Sequence, residues 1–225
     1  MNKLFLPILG GFAFLILLVG GVPLVSAGTL DFWQAWFFLA VFFASAVVTT
    51  ADLWVRDKSL LERRLNGGPA AETEPAQKVI QTGTLAVFLA MLIVPGLDRR
   101  WGWSHVPVPL VLAGETLTIL GLWIVFRVFQ VNSFAAATVS LAEGQRVVSS
   151  GPYRFVRHPM YAGGLILVAG MSLALGSWWD LLGLIPFTVG IVFRLLHEES
   201  FLVRSLVGYS EYQQKVRYRL VPGIW

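Results

Sequence analysis

The chain has 225 residues, of which 56% are hydrophobic and 13% charged. A soluble domain carries about 25% charged residues, so a soluble globular protein is excluded and a membrane protein is expected. The absence of cysteine removes disulfides, thiolate nucleophiles and cysteine metal sites. Three separated histidines, His105, His158 and His197, do not make a metal centre, and no metal is expected. The net charge of +4 does not signal nucleic acid, because the bases lie beside apolar runs, as membrane-flanking charges do.

A helix crossing the hydrocarbon needs about 20 mostly apolar residues. Residues 4–30 carry no charge. Lys3 before them and Val25-Ser26-Ala27 near their end resemble a signal peptide. The apolar run exceeds the usual h-region of about 7–15 residues, however, so an uncleaved anchor is expected. Residues 32–51 and 79–97 are equally free of charge, and 106–126 is broken only by Glu115. Residues 159–193 are interrupted only by Asp180 and are too long for one span. Gly176-Ser177-Trp178-Trp179-Asp180 reads as a turn, which makes this run a helical hairpin. Its second arm, with Gly183 and Pro186, reads as the shorter one. The expected fold is therefore all-α, a polytopic bundle of about six membrane segments. Between the second and third lies 56–77, whose Asn66-Gly67-Gly68-Pro69 and mixed charge read as a solvated connector.

Six segments put both termini on one side. Fifteen of the 17 Lys and Arg residues then fall on that side, and only Arg99 and Arg100 on the other. Positive residues mark the cytoplasmic side, so cytoplasmic termini are expected. Trp33, Trp36, Trp101, Trp103, Trp178 and Trp179 fall near the opposite ends, where an aromatic belt belongs.

The densest polar chemistry is Gly151-Pro152-Tyr153-Arg154-Phe155-Val156-Arg157-His158-Pro159-Met160-Tyr161, which leads into a run without charge. Pro159 suits the first turn of a helix, where its missing N–H is not needed. His158 then stands at the helix entrance and Tyr161 one turn in. Gly163, Gly164, Gly170 and Gly176 keep one side of this helix small, either for close helix approach or for a ligand slot. Arg194, His197, Glu198 and Glu199 end the hairpin's other arm. Arg194 and Glu198 are four apart, the spacing of an ion pair along a helix. A hairpin brings its two ends together, so these groups should converge at one cytoplasmic rim. Glu115 is a carboxylate inside a span, and reaches either a function or water near the outer interface. Asn132 either caps its helix or lines the site.

Gly151-Pro152-Tyr153, then Arg157-His158-Pro159-x-Tyr161-x-Gly163, resembles the signature of the isoprenylcysteine carboxyl and phospholipid methyltransferase superfamily. Glu198-Glu199-x-x-Leu202, Gly208-Tyr209-x-x-Tyr212 and Val221-Pro222-x-x-Trp225 continue the likeness to the end. The resemblance divides the chain into N-terminal membrane helices (1–125) and a C-terminal methyltransferase core (126–225) that includes the hairpin 159–196. It implies an S-adenosyl-L-methionine-dependent enzyme whose cytoplasmic cofactor pocket is formed by Val148, Tyr153, His158, Pro159, Tyr161, Gly163, Glu198 and Glu199. Arg194 would face the methyl acceptor, and Arg194 and Glu198 would be the catalytic pair. An arginine beside the acceptor favours a carboxylate, so carboxyl-O methylation of a lipophilic or prenylated acceptor taken from the membrane lipids ranks first. Phospholipid N-methylation and small-thiol S-methylation remain alternatives. A rival from another class is a non-catalytic membrane transporter or scaffold. The absence of an inverted repeat weighs against transport.

Overall fold

The computed structural model describes residues 3–72, 74–135, 137–138 and 141–225, and every regular element among them is helical. Helix α1 (Phe5–Leu15) runs through a widened π turn (Ile16–Gly21) into α2 (Val22–Ala27). Then follow α3 (Trp33–Arg56), the short α4 (Lys58–Leu65), α5 (Pro75–Trp101) and α6 (Val108–Val131). After a 3-10 turn at Gly151–Arg154 come α7 (Pro159–Ala174), a second such turn at Trp179–Gly183, α8 (Leu184–Ser205) and α9 (Tyr209–Lys215).

Five helical stretches are long and apolar enough to cross a membrane: Phe5–Ala27, Trp33–Arg56, Pro75–Trp101, Val108–Val131 and Trp179–Ser205. The shorter apolar helix Pro159–Ala174 makes the sixth segment. The hairpin is present, but its arms are the reverse of the expected lengths. Gly183 closes the 3-10 turn, and Pro186 falls in the first turn of α8, where a proline removes no helical hydrogen bond. The long arm is therefore α8 and the short one is α7.

Glycine and proline set the helix ends. Gly28 (φ 67°) and Gly102 (φ 65°) end α2 and α5 in the left-handed conformation, which glycine adopts without a Cβ penalty. Pro75 opens α5 and Pro159 opens α7 at positions that need no N–H.

The α6–α7 pair is packed backbone to backbone. A Cβ on Gly121 would come within 2.5 Å of the Gly163 carbonyl oxygen, and one on Gly170 within 2.6 Å of that of Gly114. Without a hydrophobic drive between helices in lipid, such small residues let dispersion and close approach hold the pair. The main core lies between α2, α3, α5, α7 and α8, around Phe32, Phe38, Met91, Leu92 and Met171.

The connector 56–77 is not a solvated loop. Asp57 caps α4 by accepting from the Leu60 N–H at 2.9 Å. Burial pushes the Asp57 carboxyl up, but hydrogen bonds from Ser133 and Leu60 and the charges of Arg63 and Arg56 outweigh it and leave it below its ordinary value. Leu60 and Leu61 are buried with Leu53, Val128 and Phe129 under the end of α6. The opposite end of the bundle is tied by Asp98, which accepts from Ser104 and Ser177 hydroxyls at 2.5 Å each. The six tryptophans assigned to the belt are all exposed.

Candidate active site

His158 precedes α7 as its N-cap, with a non-helical backbone (φ −124°, ψ 61°). That geometry turns its ring towards α8, where its Nε2 lies 3.1 Å from Glu199 Oε1. One helical turn on, the Tyr161 ring stacks with the His158 ring at 5.7 Å. The Tyr161 hydroxyl donates to Glu198 Oε2 at 2.5 Å and accepts from Arg194 Nε at 3.1 Å. The hairpin thus brings its two ends together, as the sequence predicts.

A polar cavity of about 100 Å³ opens at this rim, with Val148, Tyr153, His158, Pro159, Tyr161 and Glu198 in its wall. Asn132 also lines it, donating to the Tyr153 hydroxyl at 2.7 Å and accepting from the Phe134 N–H at 2.9 Å. It therefore shapes the wall as well as ending α6. Tyr209 and Tyr212 from α9 close the cavity, and the Tyr212 hydroxyl donates to the Tyr153 carbonyl at 2.7 Å. Burial pushes the Tyr153 hydroxyl up to about 12, with the Glu198 charge adding to it and the Asn132 hydrogen bond opposing it. Burial likewise raises Tyr209 and Tyr212. All three phenols stay protonated at neutral pH. The Tyr209 hydroxyl is buried and has no hydrogen-bond partner among the described residues. Buried polar atoms left unmatched are rare, and this one belongs to a residue of the cavity wall.

Three residues expected at the site are placed elsewhere. Gly163 does not line the cavity; it packs against α6, where a Cβ would meet the Gly121 carbonyl oxygen at 3.0 Å. Glu199 is buried beside the cavity and holds Arg157 Nε at 2.6 Å, Arg219 Nε at 2.8 Å and His158. Its charge is matched inside the fold, and it is not among the residues of the cavity wall. Arg194 is also outside the wall and does not pair with Glu198. Its Nη2 bonds Glu72 at 2.8 Å and the Ala137 carbonyl at 3.0 Å, and its Nη1 bonds Gln77 Oε1 at 3.2 Å. Among the described residues, its hydrogen bond to the cavity wall is the one from Nε to the Tyr161 hydroxyl. Gln77 in turn contacts His197 Nδ1 at 3.0 Å.

Glu72, Gln77 and Arg64 escaped the sequence reading, which took their segment for solvent-exposed linker. The signal was there in Asp57 ahead of Leu60-Leu61, an N-cap before an apolar pair. Arg64 is the consequential member. It lines an apolar cavity of about 530 Å³ between α1, α4 and α5. Its guanidinium lies over the Phe129 ring at 4.9 Å and reaches the Met160 sulfur at 3.9 Å. Met160 belongs to the polar cavity's wall, so the two cavities meet across the Arg64–Met160 contact. Burial lowers the Arg64 pKa to about 10, which keeps it charged at neutral pH. Glu115 does not reach water. It is buried in α6, and neither carboxylate oxygen has a partner among the described residues. No cluster of metal-ligating side chains occurs among the described residues.

Comparison with known proteins converges on the same part of the chain. Residues 110–207 match the phospholipid methyltransferase family. A probable protein-S-isoprenylcysteine O-methyltransferase of Oryza sativa subsp. indica is 29% identical over 131 residues, which cover 56% of this chain and 64% of the relative. Protein-S-isoprenylcysteine O-methyltransferase B of Arabidopsis thaliana is 27% identical over 132 residues, 56% of this chain and 63% of the relative. A Delta(14)-sterol reductase of Mus musculus is 32% identical over 95 residues, 39% of this chain and 22% of the reductase. The chain thus spans a little under two thirds of the length of the plant methyltransferases it matches. Residues 110–207, which carry most of α6, all of α7 and α8 and most of the polar cavity's wall, are thus similar to the phospholipid methyltransferase family, and the plant isoprenylcysteine O-methyltransferases support a likeness to that superfamily.

Proposed function

We propose that this protein is an integral membrane methyltransferase that uses S-adenosylmethionine to methylate a lipophilic acceptor, with a carboxylate oxygen as the favoured target. The observation that carries this reading is the meeting of a polar, tyrosine-lined cavity with a larger apolar one across Arg64 and Met160. One cavity has the chemistry for a polar cofactor and the other for a greasy tail.

The lining suits the cofactor in kind. Glu198, oriented by Tyr161, is a carboxylate able to accept from a ribose diol or an amino group, as acidic residues do in dinucleotide sites. The Tyr153, Tyr209 and Tyr212 rings offer faces to a sulfonium through cation–π attraction. The unpartnered Tyr209 hydroxyl offers one further donor. Gln145, Arg146, Val147 and Val148 form one stretch of the wall, and other elements supply Glu198 and the tyrosines.

The cofactor supplies an electrophilic methyl on a positive sulfur. Bound in the cavity, it would give that methyl to the acceptor, and the electron pair of the broken bond would stay on sulfur. An acceptor that is already a carboxylate needs no base, so this chain's task is alignment, which alone can lower a barrier by about 7–11 kcal/mol at best. Arg64 is a cation at the junction, and its charge favours a carboxylate acceptor. It would repel an amine acceptor, on which positive charge builds, and this ranks phospholipid N-methylation lower. Arg194 is a positioning residue in this scheme, because it fixes the Tyr161 hydroxyl that orients Glu198. The basic rim, by the charge bias of the connecting segments, faces the cytoplasm.

Calorimetry on the purified protein in detergent tests the cofactor reading. Saturable binding of S-adenosylmethionine is expected in the wild type, with at least a tenfold loss (about 1.4 kcal/mol) in Glu198→Gln. The sterol reductase likeness calls for one more arm, since a reductase needs a hydride donor. Binding of NADPH in place of S-adenosylmethionine by a well-folded wild type would overturn the methyltransferase reading. Once binding is in hand, turnover of a prenylcysteine carboxylate, a phosphatidylethanolamine and an alkyl thiol ranks the acceptors.

A further inference from the structure

We propose that a groove between α6, α7 and the C-terminal tail binds an anionic phospholipid of the surrounding bilayer. The groove encloses about 540 Å³, with apolar walls from Trp123, Ile124, Phe155, Ile166 and Leu220. Pro159 is the one residue it shares with the wall of the polar cavity. Arg127 and Arg154 line it, and Arg154 also lines an adjoining recess with Lys215 and Arg217. All four bases are exposed. Neither wall contains an aspartate or glutamate.

Among the described residues these charges have no acidic partner within ion-pair distance. The ion pairs among the described residues involve Arg56, Arg99, Arg157, His158, Arg194 and Arg219, and none of the four bases at the groove. Arg127 donates to the neutral Gln130 side chain at 2.6 Å, and the Arg154 guanidinium lies 4.5 Å from the Phe155 ring centroid. Four cations without an acid, at the mouth of an apolar groove on two membrane segments, match a phosphodiester head with an acyl chain below it. Arginine holds phosphate bidentately, and basic residues beside a span attract anionic lipid. A free phosphate would satisfy the bases and leave the apolar wall unused, which is why the occupant is assigned as a lipid.

The site bears on the polar cavity without depending on the reaction proposed for it. The turn Gly151–Arg154 directs Tyr153 to the cavity and Arg154 to the groove. A phosphate across Arg127 and Arg154 ties the end of α6 to that turn and so braces Tyr153.

Native mass spectrometry of the detergent-solubilised protein tests this, with phosphatidylglycerol and phosphatidylcholine of identical chains supplied together. Wild type should retain phosphatidylglycerol in preference, and a large excess of glycerol phosphate should not displace it. Arg127→Ala with Arg154→Ala should lose that preference by on the order of 25-fold, as each base near an anionic lipid is worth roughly fivefold. Lys78→Ala with Arg204→Ala makes the same charge change at exposed sites outside the groove and should keep it. Ile166→Trp, which fills the groove and spares all four bases, should also lose the lipid. Equal retention of the two lipids by wild type would overturn the assignment. So would equal loss in the two double variants, or displacement by glycerol phosphate.

Discussion

Glu198 and Glu199 are neighbours in the chain, and the structure gives them opposite surroundings. Glu199 is matched by Arg157, Arg219 and His158, whereas Glu198 faces the cavity with one oxygen on Tyr161. Sequence spacing cannot separate the two, because the choice is made by Arg157, 42 residues upstream of Glu199, and Arg219, 20 downstream. Glu199→Ala leaves the Arg157 guanidinium, 7% exposed, without its carboxylate, and breaking a buried pair costs about 3–5 kcal/mol. We therefore expect Glu199→Ala to lower the thermal unfolding midpoint sharply, whereas Glu198→Gln unfolds near the wild-type temperature and binds cofactor poorly. A Glu199→Ala protein as stable as wild type would refute the structural role. Tyr209→Phe gives a test of the opposite sign. Removing a buried hydroxyl that has no partner relieves a desolvation cost, so the ligand-free protein should be as stable as wild type or more so. Cofactor affinity should fall about three- to tenfold if the ligand uses that hydroxyl, as an ordinary hydrogen bond contributes about 0.5–1.5 kcal/mol. The tyrosines predict no pH effect: with Tyr153 pushed up to about 12 and Tyr209 and Tyr212 raised too, they should give no titration step in binding isotherms between pH 7 and 9.

Among the elements, α7 was the most legible and α4 the least. Pro159 marks the start of α7, and its glycines announce a thin face, yet the sequence alone leaves open whether that face admits a ligand or a helix. The answer lies in α6, whose Gly114 and Gly121 stand opposite Gly170 and Gly163. Gly164, one residue away, has nothing within reach of an added Cβ. Substitution should separate the two positions. Gly170→Ala places a methyl within 2.6 Å of the Gly114 carbonyl oxygen and the Thr118 nitrogen. Neither backbone atom can yield, and overpacking of this kind costs about 1–3 kcal/mol. Gly164→Ala should be neutral or slightly stabilising, since alanine is the better helix former by about 1 kcal/mol. Thermal melts of the two variants in one detergent check both directions. Helix α4 was missed because its eight residues, Lys58–Leu65, carry too much charge to look like core. Leu60 and Leu61 are nonetheless among the best-buried side chains of the basic end. Leu60→Ala should cost about 2–5 kcal/mol and, by loosening Arg64, should impair turnover of the acceptor more than binding of the cofactor.

At the scale of the whole molecule, the membrane segments could be read from charge-free runs because lipid allows little else: each must be helical and about 20 residues long. No such rule governs the pieces outside the bilayer, and the site is assembled from them. The tail shows this most clearly. Arg157 and His158 donate their backbone N–H groups to the carbonyls of Tyr218 and Arg219, at 2.9 and 3.0 Å. Arg157 Nη1 reaches the carbonyls of Val216 and Arg217 at 3.0 and 2.9 Å, and Arg219 returns to Glu199. The loop before α7, the end of α8 and the last residues of the chain are thereby one cooperative unit with Glu199 at its centre. Truncation after Val216 removes the acceptors of two buried N–H groups and one of the two arginines on Glu199, while every membrane segment keeps its own hydrogen bonds. The truncated protein should therefore keep the helix content of wild type by circular dichroism and still extract as a membrane protein. It should lose saturable S-adenosylmethionine binding, because His158, Tyr153 and Tyr209 are no longer held around one cavity. Binding of normal strength after truncation would mean that the cavity wall is set by the helices alone and that the tail is a passive cover.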